Sequence, residues 1–174
     1  MKENFIVTSI EDNKKYWISR SPATSAFIFK YVNYKLYVLT EIRGKGLQDF
    51  PGMRCVPCGY INWGETAPEA CSREVFEETG LIINPDKWKL AGVNSNPNAN
   101  RQNISIHYYV LLDSNESENC SISDNRGGEK DEVDKLEWVE VANLPEDFCF
   151  EHDKFISKYE KDFDLFTCYC SSKL

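Results

Sequence analysis

Glu74, Glu77 and Glu78 stand at i, i+3 and i+4, a spacing that makes neighbours of side chains on one face of a helix. Carboxylates crowded in this way repel one another unless positive charge sits among them, and hard divalent cations bind through oxygen ligands of this type. The triplet therefore reads as a metal site. The plainer alternative is a solvated acidic face, since a like-charge i,i+4 pair costs only about 0.2–0.5 kcal/mol. The surrounding chain must decide between them.

Local signals make residues 67–79 a helix. Thr66 and Glu69 have the spacing of a capping box. Pro68 falls in the first turn, where an amide hydrogen has no intrahelical partner. Gly80 stands where a left-handed residue closes a helix, with Leu81 beyond it to fold back. At roughly 100° per residue, Cys71, Val75, Phe76 and Thr79 gather on the side expected to face the core. The glutamates lie on another side, beside Ala67 and Ala70, whose small side chains leave room for a ligand.

From Gly59 to Leu81 the chain reads G-YINWG-E-TAPEACS-RE-V-F-EE-T-G-L. Gly59, Glu65, Arg73, the three glutamates and Gly80, with aliphatic Val75 and Leu81, match every fixed position of the Nudix box, G-x5-E-x7-R-E-U-x-E-E-x-G-U with U aliphatic. On these residues the chain resembles the Nudix hydrolases, over residues 22–163. The resemblance implies an α/β fold, a Nudix-type α/β/α sandwich with a mixed β-sheet. It also implies a hydrolase that cleaves the diphosphate linkage of a nucleoside diphosphate joined to another group X, using Mg²⁺ or Mn²⁺. Candidate substrates are a nucleoside triphosphate, a nucleotide sugar, ADP-ribose or a dinucleotide.

Position by position, the resemblance makes Glu74, Glu77 and Glu78 metal ligands, one of them assisting as general base. Arg73 would orient a box glutamate through a charge-assisted bond. Gly59, Glu65 and Gly80 would shape the loop and helix, and the backbone carbonyl of Cys58 would join the metal shell. The chain departs from the family's usual Pro-Gly-Gly approach to the box, having Pro57-Cys58-Gly59. A positive φ at Cys58 would strain its side chain, and a thiol beside a metal could ligate softer ions or become oxidised. The alternative to an enzyme is a catalytically silent nucleotide-binding module. Silent members usually lose box glutamates, and this chain keeps them.

Beyond the box, the polar segment 114–133 holds Glu129, Asp131 and Glu132. Glu129 and Glu132 are candidates for a base or an extra ligand, with a solvated acidic loop as the plainer reading. Arg43, Lys45, Arg54 and Arg101 are candidates for phosphate, with surface solvation the plainer reading of each. Tyr60, Trp63 and Tyr108 could stack on a base or simply pack. His107 and His152 have no acid–nucleophile partners in the sequence and read as structural.

Composition bounds the rest. A length of 174 residues suits one domain, here taken as 1–174. Twenty Lys and Arg against 28 Asp and Glu give a net charge of −8, the wrong sign for holding a nucleic-acid polymer. A small-molecule nucleotide derivative is the expected partner. No apolar run approaches the roughly 18 residues of a membrane span, and the first residues lack the apolar core of a secretion signal, so a cytoplasmic protein is expected. Seven cysteines are an odd set, at variance with fully paired internal disulfides. Cys55-x-x-Cys58 and Cys168-x-Cys170 admit half-sites for zinc, but free thiols in a reducing compartment are the plainer reading. Family members are often dimers, so a homodimer is implied as an option, although no apolar stripe here demands a partner.

Strand periods predict extended segments at 25–32 and 35–42 around an Asn33-Tyr34 turn, then at 53–56, 60–62, 88–93, 104–112 and 135–141. Helical spacing predicts a second helix over 148–163. The first 20 residues carry no usable signal.

Overall fold

The computed structural model describes residues 4–98, 103–113, 120–123, 126–127 and 130–171, with side chains through residue 161. In chain order, Phe5–Thr8 (β1) and Lys15–Ile18 (β2) pair as a separate antiparallel hairpin. The main sheet is built from Pro22–Val32 (β3), Lys35–Arg43 (β4), Arg54–Cys55 (β5), Cys58–Tyr60 (β6), Lys89–Asn94 (β7), Ile104–Leu112 (β8) and Val133–Glu140 (β9). Ala67–Thr79 (α1) and His152–Ser171 (α2) are the two helices.

β3 dictates the layering. Its alternate residues form two apolar sets, Ala26 and Ile28 on one side and Phe27 and Phe29 on the other, all buried. A strand apolar on both faces must be covered on both. Cys71 and Val75 of α1 pack on the first set, and Ile156 and Tyr159 of α2 on the second. The result is the expected α/β/α sandwich. Its sheet is mixed: β3 pairs β8 in parallel, and the remaining pairs are antiparallel.

The detail that matters for the site is a wedge. β3 and β4 pair from Phe29↔Val38 to Val32↔Lys35 and then part. Into the opening comes the segment 54–60, with β5 bonded to β4 (Glu41↔Cys55, Ile42↔Arg54) and β6 bonded to β3 (Ser25↔Cys58, Thr24↔Gly59). Between them, the Pro57 carbonyl accepts from the Ala26 amide at 2.8 Å. Cys58 and Gly59 are thus carried to the middle of the sheet, beneath α1.

Three elements differ from the sequence reading. Phe76 is 39% exposed, with Arg126 over its ring at 5.8 Å, because burial on α1 follows Ala70, Cys71, Val75, Glu78 and Thr79. The second helix begins at His152; Phe148 instead makes an isolated bridge with Arg54. The first residues form the β1–β2 hairpin, which leaves Phe5, Ile6, Trp17 and Ile18 exposed. That apolar surface has no counterpart in the periodicity of the sequence. Among the described residues, no helix is long and apolar enough to cross a membrane.

The β3–β4 turn carries a test of the fold. Val32 pairs with Lys35 across a two-residue loop in which Asn33 (φ 49°) and Tyr34 (φ 65°) are both left-handed. This is the primed hairpin geometry that favours Asn-Gly, and Tyr34 is fully exposed, so its ring offsets none of the backbone strain. Tyr34→Gly is expected to stabilise the fold by about 1 kcal/mol, read as a higher midpoint of urea unfolding at unchanged slope. An unchanged or lower midpoint would refute this turn geometry.

Candidate active site

The site is organised by one guanidinium. Arg73, from the middle of α1, reaches back to the loop before the helix and bonds Glu65 with two nitrogens, Nε to Oε2 at 3.0 Å and Nη2 to Oε1 at 2.8 Å. Nη2 also donates to the Tyr60 carbonyl at 2.9 Å. Nη1 donates to Glu74 at 2.8 Å and to Glu77 at 3.0 Å. Glu65 in turn accepts the Asn62 amide at 2.6 Å. The bonds to Glu65 raise Arg73 above its ordinary pKa, and the same contact holds the Glu65 carboxyl below the usual carboxylate range. One positive charge thus meets three carboxylates.

Local sequence explains why α1 presents them. The Glu69 carboxylate takes the Thr66 amide and hydroxyl, each at 2.7 Å, which fixes the first turn. At the other end Gly80 adopts φ 75° and returns its amide to the Phe76 carbonyl at 2.9 Å. Gly59 is required for closeness: a Cβ there would lie 2.2 Å from the Glu74 carboxyl.

A second group of carboxyls lies deeper. Glu78 is buried, its Oε2 held by the Cys58 amide at 3.0 Å. Glu41 of β4 is fully buried, its Oε1 accepting from the Cys55 thiol at 3.1 Å. No donor among the described residues reaches Glu41 Oε2 or Glu78 Oε1. Burial pushes Glu41 and Glu74 each up to about 7, and raises Glu78 well above the carboxylate range, with Glu41 its strongest charged neighbour. The charge of Glu132 raises all three further. Burial and mutual repulsion thus favour the neutral form of these carboxyls, in surroundings too dry for water to support their charge, until a cation offsets it.

Arg73, Glu74, Glu77 and Glu132 border a cavity of about 840 Å³, with Glu78 and Glu41 set behind its wall. Glu74, Glu77 and Glu132 stand at one part of its wall, Phe50 and Phe150 at another, and Asn94, Asn96, Asn98 and Asn103 at a third. Phe50, Phe150 and Glu151 all have left-handed backbones, φ 52°, 59° and 60°, and the two rings meet edge to face at 5.0 Å.

A family model, the NUDIX domain, matches residues 22–159. The chain belongs to the Nudix family. An ADP-ribose pyrophosphatase from Methanocaldococcus jannaschii is 34% identical over 151 residues, covering 85% of this chain and 79% of that protein. Together the two findings carry the enzyme class implied by the resemblance, a Nudix pyrophosphohydrolase. Among solved structures, the Nudix domain of Shewanella oneidensis NrtR, complexed with ADP ribose, superposes with a TM-score of 0.68 at 19% identity over 84% of this chain and 90% of that one. An Ap4A hydrolase from C. elegans superposes with a TM-score of 0.61 at 14% identity, over 82% and 98%. At such identities the likeness is one of fold.

Within this Nudix fold the residues singled out by the sequence have unequal positions. Arg73, Glu65, Glu74 and Glu77 come together as described, and Glu132 joins them at the cavity. Glu132 is placed by its own carbonyl, which accepts the Gly44 amide at 2.7 Å; a Cβ on Gly44 would lie 1.8 Å from the Asp131 carbonyl oxygen. Gly127, at φ 105°, brings the same segment against Glu77, within 3.2 Å of where its Cβ would stand. Glu78 departs from the expected exposed stripe, because α1 turns it inward onto Cys58 and Glu41. Arg43 lines the cavity, its Nε held by the Asp49 carbonyl at 3.1 Å.

Arg54 is a correction. It does not border the cavity; it is buried with Glu137 at 2.7 Å, Asp147 at 3.0 Å and Thr40 at 2.8 Å, so its charge is already spent on β4, β9 and the approach to α2. Arg101 and Glu129 lie outside the described residues. Tyr60 borders the cavity, whereas Trp63 is exposed and Tyr108 is in the core. His107 and His152 are buried, lowered by burial to about 4 and about 3, with His107 bonded to Tyr159 at 2.8 Å and His152 accepting the Val56 amide at 3.1 Å. Cys58 is absent from the positive-φ residues, so the strain envisaged for it does not arise. Cys55, Cys58, Cys71, Cys120 and Cys149 are free thiols.

Two substitutions test this geometry. Gly59→Ala is expected to displace the Glu74 carboxylate and reduce turnover at least tenfold while the unfolding midpoint moves little; unchanged turnover would show that Glu74 tolerates displacement. Cys58→Gly relieves no strain, so turnover should stay within threefold and stability fall by about 0.5–1 kcal/mol. A loss of turnover beyond tenfold would mean that the thiol has a role of its own.

Proposed function

We propose that this Nudix protein hydrolyses the diphosphate linkage of a nucleoside diphosphate joined to a sugar, with ADP-ribose the first substrate to test, and that it uses Mg²⁺ or Mn²⁺. The observation that carries this is the surplus of carboxylate at Glu74, Glu77, Glu78 and Glu132 beside a cavity with room for such a molecule. The name of the archaeal relative supports the choice of ADP-ribose.

A divalent cation suits the residues present. They are hard oxygen donors, one of them, Glu78 Oε1, buried and without a donor among the described residues. No three-fold grouping of acidic or sulfur ligands that would mark a preformed metal cage is present among the described residues; Arg73 bonds Glu74 and Glu77. In this reading Glu74, Glu77, Glu78 and the Cys58 carbonyl hold the ion. When bound, it neutralises phosphate oxygens and lowers the pKa of a coordinated water.

The chain's own residues do the rest. Arg73 orients Glu74 and Glu77 through the bonds from Nη1, while Glu65 fixes Arg73. Glu132, half-buried at the cavity wall, takes the proton of the attacking water. Arg43 lies on the wall where a phosphate charge would be met, and the Phe50–Phe150 corner offers apolar surface to a base. Phosphorus–oxygen cleavage by water then releases a nucleoside monophosphate and a sugar phosphate.

The test is a panel of ADP-ribose, nucleotide sugars, dinucleotides and nucleoside triphosphates, incubated with Mg²⁺ or Mn²⁺ and followed by release of monophosphate. ADP-ribose should be cleaved, and Glu77→Gln or Glu78→Gln should abolish turnover. Glu132→Ala should lower kcat by about 10²-fold, the scale of a lost general base. Tight binding across the panel without turnover would instead identify a silent nucleotide-binding module.

A further inference from the structure

The Nudix box accounts for Glu74, Glu77 and Glu78, but not for Glu41. That residue lies on β4, outside the box, and its carboxyl is wholly inaccessible. An isolated carboxyl in such a place is costly, and one with an oxygen that no donor reaches calls for a reason. Its surroundings supply one. The wedge places Cys55 directly opposite Glu41, and the Cys55 thiol fixes one oxygen, Oε1. The Glu78 carboxyl is the neighbour of Glu41, and each acts on the other's titration. Glu78 is fixed in the mirror sense: the Cys58 amide holds Oε2, and Oε1 is left without a donor. Two neighbouring buried carboxyls are therefore each anchored by one oxygen to the 54–60 wedge, and no donor among the described residues reaches the second oxygen of either.

No basic side chain among the described residues repairs this. Arg73 bonds Glu65, Glu74 and Glu77, and Arg54 bonds Glu137 and Asp147. Arg43 contributes an attractive charge to Glu41, but its Nε is bonded to the Asp49 carbonyl. A hydrophobic residue at position 41, whose strand neighbours are Cys55 of β5 and Leu136 of β9, would have none of these difficulties, so the carboxyl costs stability in the metal-free fold. It is the kind of buried group whose value appears only when a cation arrives.

We propose that Glu41 is a positioning residue for Glu78: its carboxyl holds Glu78 on the Cys58 amide and adds a buried carboxyl whose charge a cation would offset, so that divalent-cation affinity depends on a strand residue outside the Nudix box. The inference rests on the cation reading given above. Outer-shell partners of metal ligands typically change metal affinity by about 10–100-fold when removed.

The experiment measures Mn²⁺ binding to the full chain without nucleotide, from the electron paramagnetic resonance signal of free Mn²⁺, alongside metal-free thermal unfolding. Glu41→Gln keeps the shape, can still accept from Cys55 and can donate an amide hydrogen to Glu78. It should weaken Mn²⁺ binding at least tenfold while the metal-free Tm is unchanged or higher. Glu41→Met, which removes both hydrogen bonding and charge, should weaken Mn²⁺ binding to a similar or greater degree and serves if the glutamine variant does not fold. Affinity within twofold of the parent in a folded variant, or a lowered Tm as the only effect, overturns the proposal. Glu78→Gln separates the two claims. If it abolishes Mn²⁺ binding and Glu41→Gln does not, only the role of Glu41 fails; if neither weakens binding, the cation reading of the site fails as well.

Discussion

The structure turns on a charge imbalance that a single arginine only partly corrects. Arg73 bonds three carboxylates and a carbonyl, and in doing so ties the loop before α1 to the helix itself. Bidentate Arg–carboxylate geometry has a directional strictness that a lysine could not supply. Glu65 is therefore as much a part of the site as the glutamates that face the cavity, since it fixes the orientation from which Arg73 reaches Glu74 and Glu77. Glu78 and Glu41, by contrast, each keep one buried oxygen that no donor among the described residues reaches, and burial makes their charged forms expensive.

The sheet makes this concentration of charge possible. Because β3 and β4 part after four paired positions, the 54–60 segment can enter between them and deliver backbone amides and carbonyls to the middle of a layer otherwise made of side-chain packing. The Cys58 amide meets Glu78 there, and Gly59 leaves the space that Glu74 fills. The same wedge brings the Cys55 thiol opposite Glu41. A cavity wall assembled from strand backbone and a helix packed on a rigid sheet can hold groups at fixed separation, as a reaction on a polyanion demands.

Much of this was legible in the residues alone, for reasons that differ by element. The helix 67–79 was readable to the residue because its limits are set by local chemistry, Thr66 with Glu69 at one end and Gly80 at the other. The strand 104–112 was readable because a long apolar run leaves no alternative. By contrast, the helical spacing from residue 148 onward ran past its true start, because Phe148 serves the sheet and Phe150 and Glu151 take left-handed backbones that no periodicity reveals. In the site, spacing put Glu74, Glu77 and Glu78 on one helix, and the resemblance to the Nudix box singled out Arg73. The burial of Glu78 was not, since it depends on where the wedge lies. Glu41 was invisible for the same reason: one acidic residue in an apolar strand gains meaning only from its partner across the sheet. Arg54 misled because a cation beside a loop looks the same in sequence whether it faces phosphate or is consumed by Glu137 and Asp147.

The account's central claim is that these carboxylates are gathered to hold a divalent cation. The most direct measurement is anomalous diffraction at the manganese edge from crystals soaked in Mn²⁺ with a non-hydrolysable ADP-ribose analogue. A peak within about 2.0–2.3 Å of carboxylate oxygens of Glu74, Glu77 or Glu78, with the diphosphate beside it, is the predicted result. An ordered analogue in the cavity with no anomalous peak among those glutamates would contradict it.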